Sequence, residues 1–208
     1  MSGGAGGAGR GEGGAKGGRR GGGSDGRGDD VVRVEAPELL ELNGLFARYG
    51  QPRLVREFHD ARELAAGTYP GPPTKGATLV AAFDGRGRVA CVRKRGDARW
   101  ILPSGRVMPE EPVEEGAARE VREEAGLEVE LVALPVLLVA RYRLPDGELE
   151  RWCPVFAARV VGGSLAPRDR EEIEEAAWLA EAPAWWAGTW REAIMSWYRG
   201  FKKHPDGP

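Results

Sequence analysis

A group of carboxylates at helical spacing is the feature of this sequence that points most directly to chemistry. Residues 105–127 read GRVMPEEPVEEGAAREVREEAGL. On a helix over 112–125, successive residues turn by about 100°, so Glu120, Glu123 and Glu124 share one face. Like charges at this spacing repel one another, and a divalent cation removes the repulsion. Because oxygen-only donors favour hard ions, the spacing predicts a Mg²⁺ or Mn²⁺ site.

The residues around these carboxylates suit a phosphate-containing substrate. Arg119 lies four residues before Glu123 and can partly neutralise the cluster. Gly105 has no Cβ and lets the backbone approach the helix closely, and Glu111 adds a fourth carboxylate at the helix start. A metal held on such a helix would complete its coordination with oxygens of a pyrophosphate.

These positions resemble a known sequence signature, the box of the Nudix (MutT-like) hydrolase family. The box pattern is G-x5-E-x7-R-E-U-x-E-E-x-G-U with U aliphatic, and it is matched by Gly105, Glu111, Arg119-Glu120-Val121, Glu123-Glu124 and Gly126-Leu127. Residues 100–103 (WILP) and 172–178 (EIEEAAW) also resemble family segments before and after the box. Three residues depart from the usual loop pattern: Ser104, Met108 and Glu110. These departures affect what can be expected of the loop geometry and of the number of bound metal ions.

The resemblance covers about residues 75–182 and implies a fold and a set of site residues. The implied fold class is α/β, an α/β/α sandwich around a mixed β-sheet. The implied ligands of Mg²⁺ or Mn²⁺ are the Gly105 carbonyl and the carboxylates of Glu120, Glu123 and Glu124. The implied catalytic residues are Arg119, which holds the carboxylates in place, with Glu120, Glu123 and Glu172. The general base stays open between Glu120 and either Glu171 or Glu172.

The resemblance also implies an activity, with the substrate left open. The first expectation is hydrolysis of a pyrophosphate bond in a nucleoside diphosphate linked to another moiety, such as ADP-ribose, a dinucleotide or a sugar nucleotide. The alternatives are a nucleoside triphosphate, the 5′ end of RNA, and a non-catalytic nucleotide sensor. Four basic residues near the box could hold phosphates, although exposed basic side chains usually bind nothing specific: Arg93, Lys94, Arg95 and Arg106.

Strands must position this helix. Residues 77–83 and 88–94 are short apolar runs around a turn at 84–87, which predicts a hairpin. On the box helix, Ala117, Val121 and Ala125 form an apolar face, and Gly126 suits the position that ends the helix. Further strands are predicted at 128–134, 136–143, 149–161 and 173–179.

Extra helices are predicted on both sides of this unit. Residues 31–66 show apolar positions at helical spacing, interrupted at 50–52. A C-terminal helix beginning near Pro183 carries one apolar stripe that we expect to pack on the domain: Trp186, Trp190, Ile194, Trp197 and Phe201. These helices form either a lid or a dimer interface, so a homodimer stays open.

Composition excludes several classes of function. The chain has 208 residues and a net charge of −2, and 15 of its 32 glycines fall in the first 30 residues. We expect this Gly/Arg-rich tail to be disordered, and it has no aromatic residue to stack on RNA bases. The near-zero net charge argues against binding to DNA or a membrane surface. No run of about 18 apolar residues predicts a membrane span, and no apolar segment suggests a secretory signal.

The cysteines and histidines favour a reducing setting and an oxygen-based site. Cys91 and Cys153 are isolated, which predicts a cytoplasmic protein without a disulfide framework. His59 and His204 have no neighbouring ligands in sequence, which argues against a histidine metal site. The predicted organisation is a tail (1–30), a helical extension and linker (31–74), a Nudix domain (75–182), and a C-terminal helix with its tail (183–208). The expected partner is a small nucleotide derivative.

Overall fold

The chain folds as a sheet enclosed by helices. The computed structural model describes residues 32–60, 72–180 and 188–203. Within these ranges the helices are α1 (Leu39–Tyr49), α2 (Val113–Glu120), which continues as a π-helical turn (Val121–Ala125), and α3 (Gly188–Lys203). The strands are β1 (Val32–Glu35), β2 (Arg53–Asp60), β3 (Ala77–Phe83), β4 (Val89–Lys94), β5 (Ser104–Arg106), β6 (Leu127–Leu144), β7 (Gly147–Gly163) and β8 (Ile173–Leu179).

The strands form one mixed sheet in the order β2-β6-β7-β3-β4-β8, with β1 beside β7 and β5 beside β3. The β6–β7 hairpin and the β4–β8 pair are antiparallel, whereas β3 runs parallel to β7. Two of these pairings matter for the site. β5 places Gly105 opposite Thr78 of β3, and β8 pairs along β4. The segment before the box helix is therefore fixed to β3, and the strand that follows residues 164–172 is fixed to β4.

Apolar side chains cover both faces of the sheet. On one face, α1 contributes Leu42 and Leu45 to the core, and α2 contributes Val113 and Ala117. On the other face, α3 packs Ile194 against the sheet. The layers are helix, sheet and helix. The predicted fold class, an α/β/α sandwich around a mixed sheet, is confirmed.

The prediction of helix over 31–66 is wrong in two places. Residues 32–35 and 53–60 are strands β1 and β2, and only α1 is helical among the described residues of this region. Leu54 and Phe58 lie four residues apart, a spacing that places them together on a helix face and also on one side of a strand. β2 runs parallel to β6, and its Val55 is buried. Residues 53–60 form a strand because they can hydrogen-bond to the edge of β6, which lies far along the chain.

The elements downstream follow the prediction more closely. The hairpin of β3 and β4 is confirmed, and β8 has the predicted bounds. The strands predicted at 128–134 and 136–143 are one strand, β6. Its pairing with β7 shifts register between Ala133 and Val136, where Pro135 has no N–H to donate.

The C-terminal prediction is partly outside the described residues. α3 begins at Gly188, and the predicted start near Pro183 and the Trp186 side chain fall in the undescribed segment. The side chains of Trp190 and Phe201 also lie outside what the structure describes. Of the rest of the predicted stripe, Ile194 is buried and Trp197 is partly buried against the same core. The Gly/Arg-rich tail also lies outside the described residues. No helix in the described ranges has the length and apolar character needed to cross a membrane.

Candidate active site

The box helix is fixed by its apolar face. Ala117, Val121 and Ala125 are fully buried against the sheet, as predicted. This packing turns Glu120 and Glu124 toward β5 and β4, where their exposed fractions are only 9% and 2%. Two of the three predicted carboxylates are therefore buried.

The last turn of this helix is π-helical, which the sequence analysis missed. Residues 121–125 follow α2 with a wider turn, and Gly126 ends it with a φ of 72°. Such π turns occur often at functional sites. Glu123 lies on this turn and is exposed, unlike Glu124 beside it. No residue in the segment signals a π turn in advance.

Arg119 is the centre of a hydrogen-bond network. Its Nε and Nη2 donate to both carboxylate oxygens of Glu111 at 3.1 and 2.7 Å. Its Nη1 donates to Glu120 at 2.8 Å and to Glu123 at 2.9 Å. A further bond from Nη2 reaches the carbonyl oxygen of Arg106 at 2.9 Å. One guanidinium thus joins three carboxylates of the box to the backbone before the helix, and its hydrogen bonds lower the pKa of Glu111.

Glu124 is held less completely. Its Oε2 accepts a hydrogen bond of 2.7 Å from the backbone N–H of Ser104. Its Oε1 is buried without a hydrogen-bond partner and lies 3.5 Å from Nζ of Lys94. Burial raises the pKa of Glu124 to about 8, although Lys94 opposes the shift. Burial also raises the pKa of Glu120, against the opposing charge of Arg119. Burial therefore disfavours the charged form of both carboxylates by more than Arg119 and Lys94 favour it.

Gly105 lies directly against this face. A Cβ at Gly105 would overlap all three carboxylate atoms of Glu120. The carboxylate therefore occupies the space that any side chain at this position would need, and glycine is required for the close approach.

The donor chemistry of the group fits a hard divalent cation. The available ligands are oxygens, one buried oxygen of Glu124 lacks a hydrogen bond, and burial disfavours the charged form of two carboxylates. Across the described residues, no three His, Cys, Asp or Glu side chains are arranged closely enough to hold an ion. Arg119 and Lys94 lie among the carboxylates instead. The predicted ligand set of Gly105, Glu120, Glu123 and Glu124 stays a prediction.

Glu172 is brought to the same place by a loop. The backbone carbonyl of Glu123 accepts hydrogen bonds from the N–H groups of Arg168 and Asp169 at 2.9 and 3.0 Å. The Asp169 side chain then accepts the N–H groups of Glu171 and Glu172, each at 3.0 Å. The loop before β8 is therefore fastened to the π turn.

Of the two base candidates in this loop, Glu172 faces the carboxylate cluster. It pairs with Lys94, and its negative charge contributes to the raised pKa values of Glu120 and Glu124. The sequence analysis missed the roles of Ser104, Asp169 and Lys94 in this arrangement. Their proximity depends on the β4–β8 pairing and on a loop about 45 residues beyond the box, and no local pattern signals it.

Comparisons with known proteins agree with the signature. The family profile described as NUDIX domain matches residues 72–198. A curated relative, the 8-oxo-dGDP phosphatase NUDT18 of Danio rerio, is 36% identical over 89 residues. That alignment covers 41% of this chain and 25% of the relative, so the chain spans about a quarter of that protein's length.

Solved structures are similar at lower identity. An ADP-ribose pyrophosphatase from Streptococcus suis is 20% identical with a TM-score of 0.42, and the alignment covers 60% of this chain and 89% of the other. A MutT NUDIX hydrolase from Burkholderia pseudomallei is 22% identical with a TM-score of 0.44, covering 57% and 94% of the two chains.

Proposed function

Since the chain belongs to the Nudix hydrolase family, we propose that it hydrolyses a pyrophosphate bond in a nucleoside diphosphate linked to another moiety. ADP-ribose, a dinucleotide and a sugar nucleotide are the candidate substrates. The observation that carries the proposal is the buried pair Glu120 and Glu124, in which one carboxylate oxygen of Glu124 has no hydrogen-bond partner. Burying carboxylates in this way is costly unless a cation binds there.

The proposed cation is Mg²⁺ or Mn²⁺, held by the carbonyl of Gly105 and the carboxylates of Glu120, Glu123 and Glu124. When bound, the ion lowers the pKa of the attacking water and neutralises charge on the phosphate oxygens. The chain's own residues prepare this site. Arg119 orients Glu120 and Glu123 by hydrogen bonds of 2.8 and 2.9 Å.

The proposed reaction needs a proton acceptor. The oxygen of a water molecule bonds to one phosphorus, and the bridging oxygen leaves with the other phosphate. The proton of the water passes to a carboxylate, for which we propose Glu172, with Glu120 as the second candidate. Glu172 is half exposed, so solvent can reach it, and its backbone is fixed through Asp169. A carboxylate that is accessible but positioned is suited to this role.

A second candidate substrate is an oxidised nucleoside diphosphate. The relative from Danio rerio that is 36% identical over 89 residues is named as an 8-oxo-dGDP phosphatase. This substrate shares the pyrophosphate bond with the first candidates and differs in the leaving group, which is a single phosphate. We include it, together with nucleoside triphosphates and 5′-triphosphate RNA, in the test below.

The test is hydrolysis across this substrate panel with Mg²⁺ and with Mn²⁺. Glu120→Gln and Glu124→Gln should each abolish metal-dependent turnover, because each removes one negatively charged ligand. Glu115→Gln is the matched control, since Glu115 lies on the exposed side of the same helix. Metal-dependent turnover that is lost in the first two variants and kept in the control supports the proposal. Turnover of no substrate, with nucleotide still bound, would make the protein a nucleotide sensor.

A further inference from the structure

Lys94 occupies an irregular position at the end of β4. In the pairing of β4 with β8, Arg93 lies opposite Glu175 while Lys94 lies opposite Ile173. Glu174 therefore has no residue opposite it, which is the pattern of a β-bulge. Bulges beside active sites redirect a side chain from its regular direction. This bulge lies where β4 meets the end of the box helix.

The ammonium group of Lys94 joins two carboxylates from different segments. Its Nζ pairs with Oε1 of Glu172 and lies 3.5 Å from Oε1 of Glu124. The first carboxylate belongs to the loop before β8 and the second to the π turn. The Lys94 side chain is about one quarter exposed, so water screens these contacts less than it would at the open surface.

The backbone near Lys94 strengthens the same link. The N–H of Arg95 donates to the carbonyl of Glu172 at 2.9 Å, and the Arg95 guanidinium donates to the carbonyl of Arg170 at 2.7 Å. These bonds fix the main chain of the loop. They leave the Glu172 carboxylate, on a long and half-exposed side chain, to be oriented by its ion pair with Lys94.

We propose that Lys94 is a positioning residue that holds the Glu172 carboxylate beside Glu124. This inference rests on the proposed function, in which Glu172 accepts the proton. It has two opposite consequences. Loss of Lys94 should slow turnover, because Glu172 is then free to point into solvent. Loss of Lys94 should also tighten divalent-cation binding, because one positive charge next to Glu124 is removed.

The experiment compares Lys94→Met, Lys94→Gln and Lys94→Arg, with Arg88→Met as the control. Arg88 is near the other end of β4 and pairs with Asp84, so its loss removes one positive charge away from the carboxylates. For the Met and Gln variants we expect kcat to fall at least about tenfold, with KM changed by less than about threefold. Their Mn²⁺ dissociation constants, measured by electron paramagnetic resonance, should fall about three- to tenfold. Lys94→Arg should retain the wild-type Mn²⁺ affinity and most of kcat.

A double variant tests whether Lys94 acts through Glu172. If it does, Lys94→Met combined with Glu172→Gln should have the same kcat as Glu172→Gln alone, because the second change removes what the first disturbs. If the two changes reduced kcat independently, so that the double variant showed the product of the two single losses, the inference would be overturned. An unchanged or weaker Mn²⁺ affinity in folded Lys94→Met would also overturn it. The Mn²⁺ measurement needs no substrate. Wild-type protein that binds no Mn²⁺, or binds it without turnover, would overturn the proposed function and this inference with it. Wild-type turnover combined with either of the two contrary results above would overturn this inference alone.

Discussion

Replacing Gly105 by alanine tests the closest contact of the site. The added Cβ would overlap the carboxylate carbon of Glu120, so this carboxylate must retreat by more than about 1 Å to reach ordinary van der Waals separation. The retreat disturbs its 2.8 Å hydrogen bond with Arg119. A misplacement of about 1 Å in a catalytic group can reduce the rate about 100-fold. We therefore expect kcat/KM to fall about 100-fold, equivalent to about 2.7 kcal/mol in transition-state stabilisation.

The same substitution should leave the free energy of unfolding almost unchanged. The overlapping atoms form the end of a flexible side chain, and Gly105 does not have a positive φ that would strain alanine. The assay pairs steady-state kinetics on the best substrate with Mn²⁺ binding and urea denaturation. Gly44→Ala in α1 is the control. A Cβ there meets nothing within 4 Å, and the change should stabilise the helix by about 0.5–1 kcal/mol without affecting kcat/KM. Wild-type kcat/KM in folded Gly105→Ala would refute the placement of Glu120 against this backbone.

Two further predictions concern the surroundings of the site, and a third concerns the two buried cysteines. Gly126→Ala should lower the free energy of unfolding by about 1–3 kcal/mol in urea denaturation, because φ is 72° and a Cβ would overlap two carbonyl oxygens of the loop before β8; an unchanged midpoint would contradict this geometry. Asp169→Ala should reduce kcat about tenfold with little change in KM, since two of the hydrogen bonds that fix the backbone at Glu172 are lost; equal kcat in steady-state assays would show that the turn is dispensable. Burial raises the pKa of Cys91 and of Cys153 to about 12, so both thiols stay protonated at pH 8 and should react with a disulfide reagent only after unfolding. Rapid labelling of the native protein at pH 8 would disprove that last expectation.

Local patterns predicted the box helix and most strands that surround it. The face of Ala117, Val121 and Ala125 follows from helical periodicity alone, and the strands at 77–83 and 173–179 follow from short apolar runs between turn residues. Each of these elements is predicted from its own residues, because the local pattern fits only one type of secondary structure. No single segment predicts that helices cover both faces of the sheet. That expectation comes from the family resemblance.

The failures share a different cause. In 53–60 the spacing of Leu54 and Phe58 fits a helix and a strand equally, and the choice comes from hydrogen bonding to β6. Lys94 and Glu172 meet because β4 and β8 pair across the sheet, with a bulge that a sequence pattern does not reveal. The π turn has no sequence signal either. In each case a non-local contact decides among conformations that the local sequence allows.

The loop before β8 bonds to the end of the box helix, and this limits the changes of length that the loop can accept. Carbonyls of Glu123, Ala125 and Gly126 all accept N–H groups from residues 164–169, at 2.9 to 3.3 Å. Adding or deleting one residue in this loop would shift some of these bonds out of register with the others and leave helix carbonyls without partners. Changes of loop length should therefore be better tolerated elsewhere, for example at the exposed β6–β7 turn around Asp146. The loop that carries the proposed proton acceptor and the helix that carries the proposed metal ligands are therefore joined as one unit, in which the length of the loop matters.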